Sequence, residues 1–238
     1  MASVQSVMAE LKAKGSESTR RIYVRHGAAA DRVLGVSVAH LKDIAKKIKG
    51  EQRLACELYD TGTMDAMYLA GLVADGTQLS QPQLDAWAKA AKGLPMVAEY
   101  TVPWLAAEHP TARSLALKWM KSKDESVAAG GWCTYSGIVA TTDDEDLDLD
   151  EIAERLAVAA KEIHTAKNRV RHAMNNFVIA VGTHVKPLAA QAKKTAQRIG
   201  AVTVDMGETA CQVPLATTAI AKAESSGKLG KKRKTMRC

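Results

Sequence analysis

Aromatic side chains are scarce: the 238 residues hold four Trp, five Tyr and a single Phe. Sheets draw on aromatic and β-branched residues to cover their faces, so this composition argues against a β-rich body. An interior of Ala, Leu and Val suits helices, and 47% hydrophobic content is enough to build one. No run of 18 uncharged apolar residues occurs, which removes a membrane-spanning helix. The start, MASVQSVMAELKAKG, reads as an amphipathic helix, not as a charged segment leading into a signal core. Cys56, Cys133, Cys211 and Cys238 lie far apart with no C-x-x-C pair, so neither a zinc ribbon nor a disulfide framework is supported. They read as thiols in a reducing cytoplasm, with Cys211 and Cys238 able to meet only if the chain end folds back. His26, His40, His109, His164, His172 and His184 show no H-E-x-x-H spacing, and no metal or cofactor is expected. The absence of a P-loop, a G-x-S-x-G elbow or a dinucleotide fingerprint excludes common enzyme classes.

Charge is plentiful but unevenly placed. Six of the 33 basic residues lie in residues 228–238 with no acid among them, leaving 27 basic against 26 acidic residues elsewhere. Residues 143–151 (DDEDLDLDE) hold seven of those acids, and without them the rest of the body is strongly cationic. Such segregation is expected if one face meets a polyanion and another avoids it. The acidic run also has a local explanation, because Asp148, Asp150 and Glu151 fall at a helix start, where the dipole favours negative charge.

Helical periodicity runs through most of the chain. From Ser37, a plausible cap, Val38, Leu41, Ile44, Ala45 and Ile48 form one apolar stripe that ends at Gly50. Similar patterns predict helices over 3–14, 17–28, 51–60, 64–75, 80–92, 95–108, 111–121, 124–140, 148–164, 167–183, 186–199 and 214–224. Pro82, Pro187 and Pro214 stand where a first helical turn tolerates a missing N–H. Short connections between helices of this length imply antiparallel neighbours, and a pair that cannot bury its own stripe does so by stacking on the next pair. The expectation is an all-α solenoid: one domain over residues 1–227, followed by a basic, mobile tail over 228–238. Only Ala201–Asp205 alternates like a strand.

Three stretches resemble the DNA alkylation repair family of HEAT-like repeat proteins: Leu34-Gly-Val-Ser-Val-Ala-His-Leu-Lys-Asp43, Lys118-Trp-Met-Lys-Ser122 with the helix that carries Trp132, and Val170-Arg-His-Ala-Met-Asn-Asn-Phe-Val-Ile-Ala-Val-Gly182. The resemblance spans about residues 1–200 and implies a right-handed α-α superhelix whose concave basic face holds duplex DNA. Active members excise alkylated bases by hydrolysing the glycosidic bond without flipping the lesion into a pocket. They use a Trp and a carboxylate on one helix, an Arg on a later one and a second Trp on the helix after that. Here the first segment, Gly93-Leu-Pro-Met-Val-Ala-Glu-Tyr100, lacks Trp and offers Glu99 as the acid. The place of the Arg falls near Ala129 and Gly130, and that of the second Trp near Asn175.

Excising a cationic purine asks chiefly for a carboxylate to stabilise a developing sugar cation and for aromatic faces that hold positive charge. Glu99 is the acid available; its competing reading is an ordinary surface carboxylate. Tyr100, Trp104, Trp132 and Tyr135 are the aromatic candidates for a cleft. Gly130 and Gly131 weaken a helix by about 1 kcal/mol each relative to Ala, which suggests close approach of a neighbouring helix or of a phosphate strand. Phosphate contacts are expected from Lys167, Arg169 and Arg171, from Lys193, Lys194 and Arg198 in the following helix, from Arg20, Arg21 and Arg25, and from Lys231, Lys232, Arg233 and Lys234 in the tail. The resulting expectation is a cytoplasmic monomer that binds double-stranded or damaged DNA and acts as a glycosylase on cationic alkylated purines. The alternatives are a non-catalytic family member that recognises damaged or branched DNA, and a helical scaffold for an acidic protein.

Overall fold

Helix starts are written locally. Ser3, Ser16, Ser37, Ser80, Asp124 and Asp148 each accept a hydrogen bond from a first-turn N–H of the helix that follows, and Pro82 sits in a first turn where no N–H is needed. The computed structural model describes residues 2–237, which form thirteen α-helices and no strand. Their bounds follow the periodicity closely, with three departures. The expected helix over 95–108 opens with a π-helical turn, Val97–Thr101; a 3-10 turn containing Pro187 precedes the helix expected from 186; and Ala201–Asp205 is irregular backbone, not a strand. No described helix is long and apolar enough to cross a membrane. Cys56, Cys133 and Cys211 form no disulfide, and Cys238 lies outside the described residues.

The chain groups into two compact units.

The first unit comprises Met1–Thr111 with Met206–Ala210. It holds α1 (Val4–Lys14), α2 (Glu17–Arg25), α3 (Val38–Lys47), α4 (Gln52–Asp60), α5 (Met64–Val73), α6 (Gln81–Ala90) and α7 (Val102–Glu108). Every residue of α5 from Met64 to Gly71 is buried. Among them Asp65 accepts hydrogen bonds from Leu34 N and Val36 N, both at 2.7 Å. Burial pushes its carboxyl above the usual range, against the opposing pull of these amides. This explains the Leu34-Gly-Val stretch: Asp65 pins it, and at Gly35, with φ +83, a Cβ would lie 2.4 Å from the Ser16 carbonyl oxygen. Arg32 extends the pinning by donating to the carbonyls of Gly62, Ala90 and Lys92 at 2.8–3.0 Å. Tyr59 stacks on Trp87 with centroids 3.7 Å apart and donates its hydroxyl to the Trp87 carbonyl.

The second unit comprises Ala112–Asp205 with Cys211–Cys238. It holds α8 (Ala112–Met120), α9 (Glu125–Thr141), α10 (Leu149–Glu162), α11 (Asn168–His184), α12 (Ala189–Ile199) and α13 (Ala216–Ser225). Gly131 settles what the glycine pair does: a Cβ there would stand 2.6 Å from Met120 N and 2.8 Å from Ala116 O, so the glycine lets α9 lie directly on α8. Helices α9 and α11 run in the same direction. Glu125 at the start of α9 accepts from Arg169 N at the start of α11, whereas Ala140 and Thr183 near their far ends accept from the amides of Arg233 and Gly230.

The basic residues near the chain end add further contacts. His184 Nδ1 bonds the Lys231 carbonyl at 2.7 Å, and Lys232 reaches the Val139 carbonyl at 3.1 Å and Asp144 at 2.7 Å. Last-turn carbonyls attract donors and cations, and the tail supplies both.

Candidate nucleic-acid interface

Cations gather in the second unit at the start of α11. Lys167, just before the helix, donates its ammonium to the Lys123 carbonyl in the turn between α8 and α9. That contact sets Lys123 beside Lys167, with exposed Lys121 two residues before it and Arg169 two residues after Lys167. His164 Nε2 bonds the Ile199 carbonyl at 2.9 Å, bringing the last turn of α12 and its exposed Arg198 to the same end. The nearby acids have partners: Asp124 caps α9 through Ser126 N and Val127 N, and Glu125 is held by Arg169 N. Lys121 and Lys123 were missed by the sequence reading. Their signal was the close spacing of Lys118, Lys121 and Lys123, of which only Lys118 and Lys121 fall within the family motif.

Other predicted cations fall elsewhere. Lys193 is turned toward α13 and bonds both carboxylate oxygens of Glu224 at 2.7 Å, whereas Lys194 remains exposed. Arg171 is partly buried, with its Nε lacking a hydrogen-bond partner. The tail does not extend this corner. It sits at the C-terminal ends of α9 and α11, and 17 residues at 1.5 Å each put about 25 Å between the two cationic groups. It also shares its end of the unit with the acidic run, since Asp144 binds both Lys232 and Lys186 N. One tail cation, Lys232, is thus paired with the acidic run through Asp144, whereas Lys231, Arg233 and Lys234 are exposed.

In the first unit, Arg20 is committed to structure: it donates to the carbonyls of Ala30 at 2.7 Å and Val33 at 3.2 Å. Arg21 and Arg25 are exposed, Arg21 with Glu17 at 3.2 Å.

The aromatic candidates separate sharply. Trp132 and Tyr135 are buried in the second unit against Phe177, with ring centroids at 5.2 and 5.8 Å. The Tyr135 hydroxyl donates to Glu151 at 2.5 Å, and Arg113 grips the same carboxylate at 2.8 and 2.9 Å while reaching Asp148 at 2.6 Å. Burial pulls the Glu151 carboxyl upward, but the hydrogen bonds from Arg113 and Tyr135 outweigh it and hold the group below the usual range. This network staples α8 and α9 to the first turn of α10. These two rings belong to the buried core. Trp104 is likewise buried, edge-on to Tyr68 at 5.4 Å.

Glu99 and Tyr100 occupy the π-helical turn in the first unit. Pro103 explains the turn: it offers no N–H to the Glu99 carbonyl and its ring crowds that oxygen, and the widened turn just before it, closed by Val102 N on Val97 O, absorbs the mismatch. Glu99 is only 6% exposed, which overturns the surface-carboxylate reading, whereas Tyr100 is 45% exposed. At the other family positions, Ala129 and Gly130 are buried inside α9, and Asn175, fully buried, donates its amide to the Pro214 carbonyl at 2.9 Å.

An all-helical body of short-looped, stacked helices with cationic corners belongs to the class of HEAT-like repeat proteins. The chain is a member of the DNA alkylation repair enzyme family, whose family model matches residues 7–198. It is similar over its whole length, at 36% identity and a TM-score of 0.90 and with 100% of each chain covered, to a solved structure described as a new family of proteins related to the HEAT-like repeat DNA glycosylases with affinity for branched DNA structures. Two uncharacterized proteins are also similar at 29% identity: Lin0241 of Listeria innocua, over 91% of this chain and 95% of the relative, and Lmo0209 of Listeria monocytogenes, over 92% and 96%.

Proposed function

We propose that this chain is a DNA-binding member of its family that recognises branched DNA and does not excise bases. The observation that carries this reading is the fate of the four catalytic positions. Where active members use two tryptophans, an arginine and a carboxylate, this chain has no Trp in the first segment, buried Ala129 and Gly130, a buried Asn175 bonded to the Pro214 carbonyl, and Glu99 buried in a π turn. An electrostatic stabiliser for a sugar cation must face the sugar. The affinity for branched DNA described for the similar solved structure supports the partner, and the corner of Lys121, Lys123, Lys167, Arg169 and Arg198 supplies phosphate contacts without base specificity. Reduced thiols and a DNA partner fit a cytoplasmic monomer.

Two assays test it. Methylated duplex DNA incubated with the protein is expected to release neither 7-methylguanine nor 3-methyladenine; release that disappears in Glu99→Gln would instead establish a glycosylase. In competition binding, a four-way junction is expected to displace labelled junction at lower concentration than linear duplex of the same length, and equal displacement would remove the branched-DNA reading.

A further inference from the structure

The chain has ten aromatic side chains, and nine are buried: Tyr23, Tyr59, Tyr68, Tyr135, Trp87, Trp104, Trp119, Trp132 and Phe177 are each at most 9% exposed. Tyr100 is the exception at 45%. A fold so poor in aromatics buries the others, so this ring's exposure is informative.

Its support is equally specific. Tyr100 lies edge-on to Trp104 with centroids 6.2 Å apart, and Trp104 lies edge-on to Tyr68 at 5.4 Å, so a ladder of three rings rises from the core of the first unit to its surface. The ring is carried on a π-helical turn flanked by buried Val97, Ala98, Glu99 and Thr101, which fixes its backbone on both sides. Cationic groups belong to the same unit: Ala29 N, four residues beyond exposed Arg25, bonds the Gly93 carbonyl at 2.9 Å, seven residues before Tyr100.

We infer that Tyr100 is a stacking platform for an unpaired nucleobase, the element by which branched DNA is told from linear duplex. This rests on the DNA-binding reading above. Bases in linear duplex cover one another's faces, whereas a branch point exposes faces that an aromatic side chain can cover. A ring buttressed from behind loses little freedom when a base lands on it.

The experiment compares two probes, a three-way junction with two unpaired adenines at the branch and a fully paired linear duplex, against the full chain and three variants. Tyr100→Ala and Tyr100→Leu are expected to lose about fivefold to a hundredfold in affinity for the junction and to bind linear duplex as the parent does. Tyr100→Phe is expected to keep junction affinity, since the π face and not the hydroxyl makes the contact. Unchanged junction binding by the Ala and Leu variants, or equal losses on both probes, overturns the inference while leaving DNA binding intact. A parent protein that binds junction no better than duplex brings down the branched-DNA reading itself, and this inference with it.

Discussion

At the scale of single residues, the polar groups that matter most are those the interior cannot do without. Asp65 accepts two backbone N–H groups from the Leu34–Val36 stretch at 2.7 Å each. Asp65→Ala strands those donors, and because an unsatisfied buried donor costs about 1–3 kcal/mol, denaturant melts are expected to show a loss of about 2–4 kcal/mol. Glu151 makes a pH-dependent contribution. Its folded-state pKa is depressed, so the stability it confers is complete above the unfolded glutamate value of about 4.3 and is lost as pH falls through the lower folded value. The difference in Tm between the parent and Glu151→Gln should be full at pH 6–7, shrink below about pH 4.3 and vanish in stronger acid; a difference that grows on acidification contradicts the sign.

At the scale of elements, close approach and capping decide the packing. Gly131→Ala places a methyl against the backbone of Met120 and Ala116, atoms that cannot yield without moving α8. Equilibrium unfolding should show a loss of about 1–3 kcal/mol, as overpacking does elsewhere. The C-terminal tail caps the far ends of α9 and α11 through Gly230, Lys231, Lys232 and Arg233. Deleting residues 228–238 should therefore lower Tm by several degrees, since each lost cap is worth about 1 kcal/mol. Unchanged Tm would mean that these contacts are not maintained in solution.

At the scale of the whole molecule, the question is how many phosphates the cations meet. Affinity for duplex DNA should fall with salt, with a log-log slope of about −0.9 per neutralised phosphate. The double variant Lys123→Gln, Lys167→Gln should make that slope shallower by about 1 to 2, whereas Lys193→Gln, whose parent ammonium is bonded to Glu224, should leave it nearly unchanged. Equal effects of the two variants on the salt slope would remove the α11 corner as the interface.

The sequence by itself determined the helices, because capping residues, stripes of Leu, Ile and Val, and prolines act over a turn or two and carry their meaning wherever the chain goes. The thirteen helices, the family motifs and the lack of a tryptophan in the first segment were all legible in it. Only the tertiary structure decided which charges are spent and which are offered. Composition cannot tell Arg20, folded onto the carbonyls of Ala30 and Val33, from exposed Arg25 five residues later. Nor does it tell buried Trp132 from Tyr100, or show that the basic tail would find Asp144. Burial and ion pairing are made by residues distant in sequence, and a local pattern holds no record of its partner until the chain has folded.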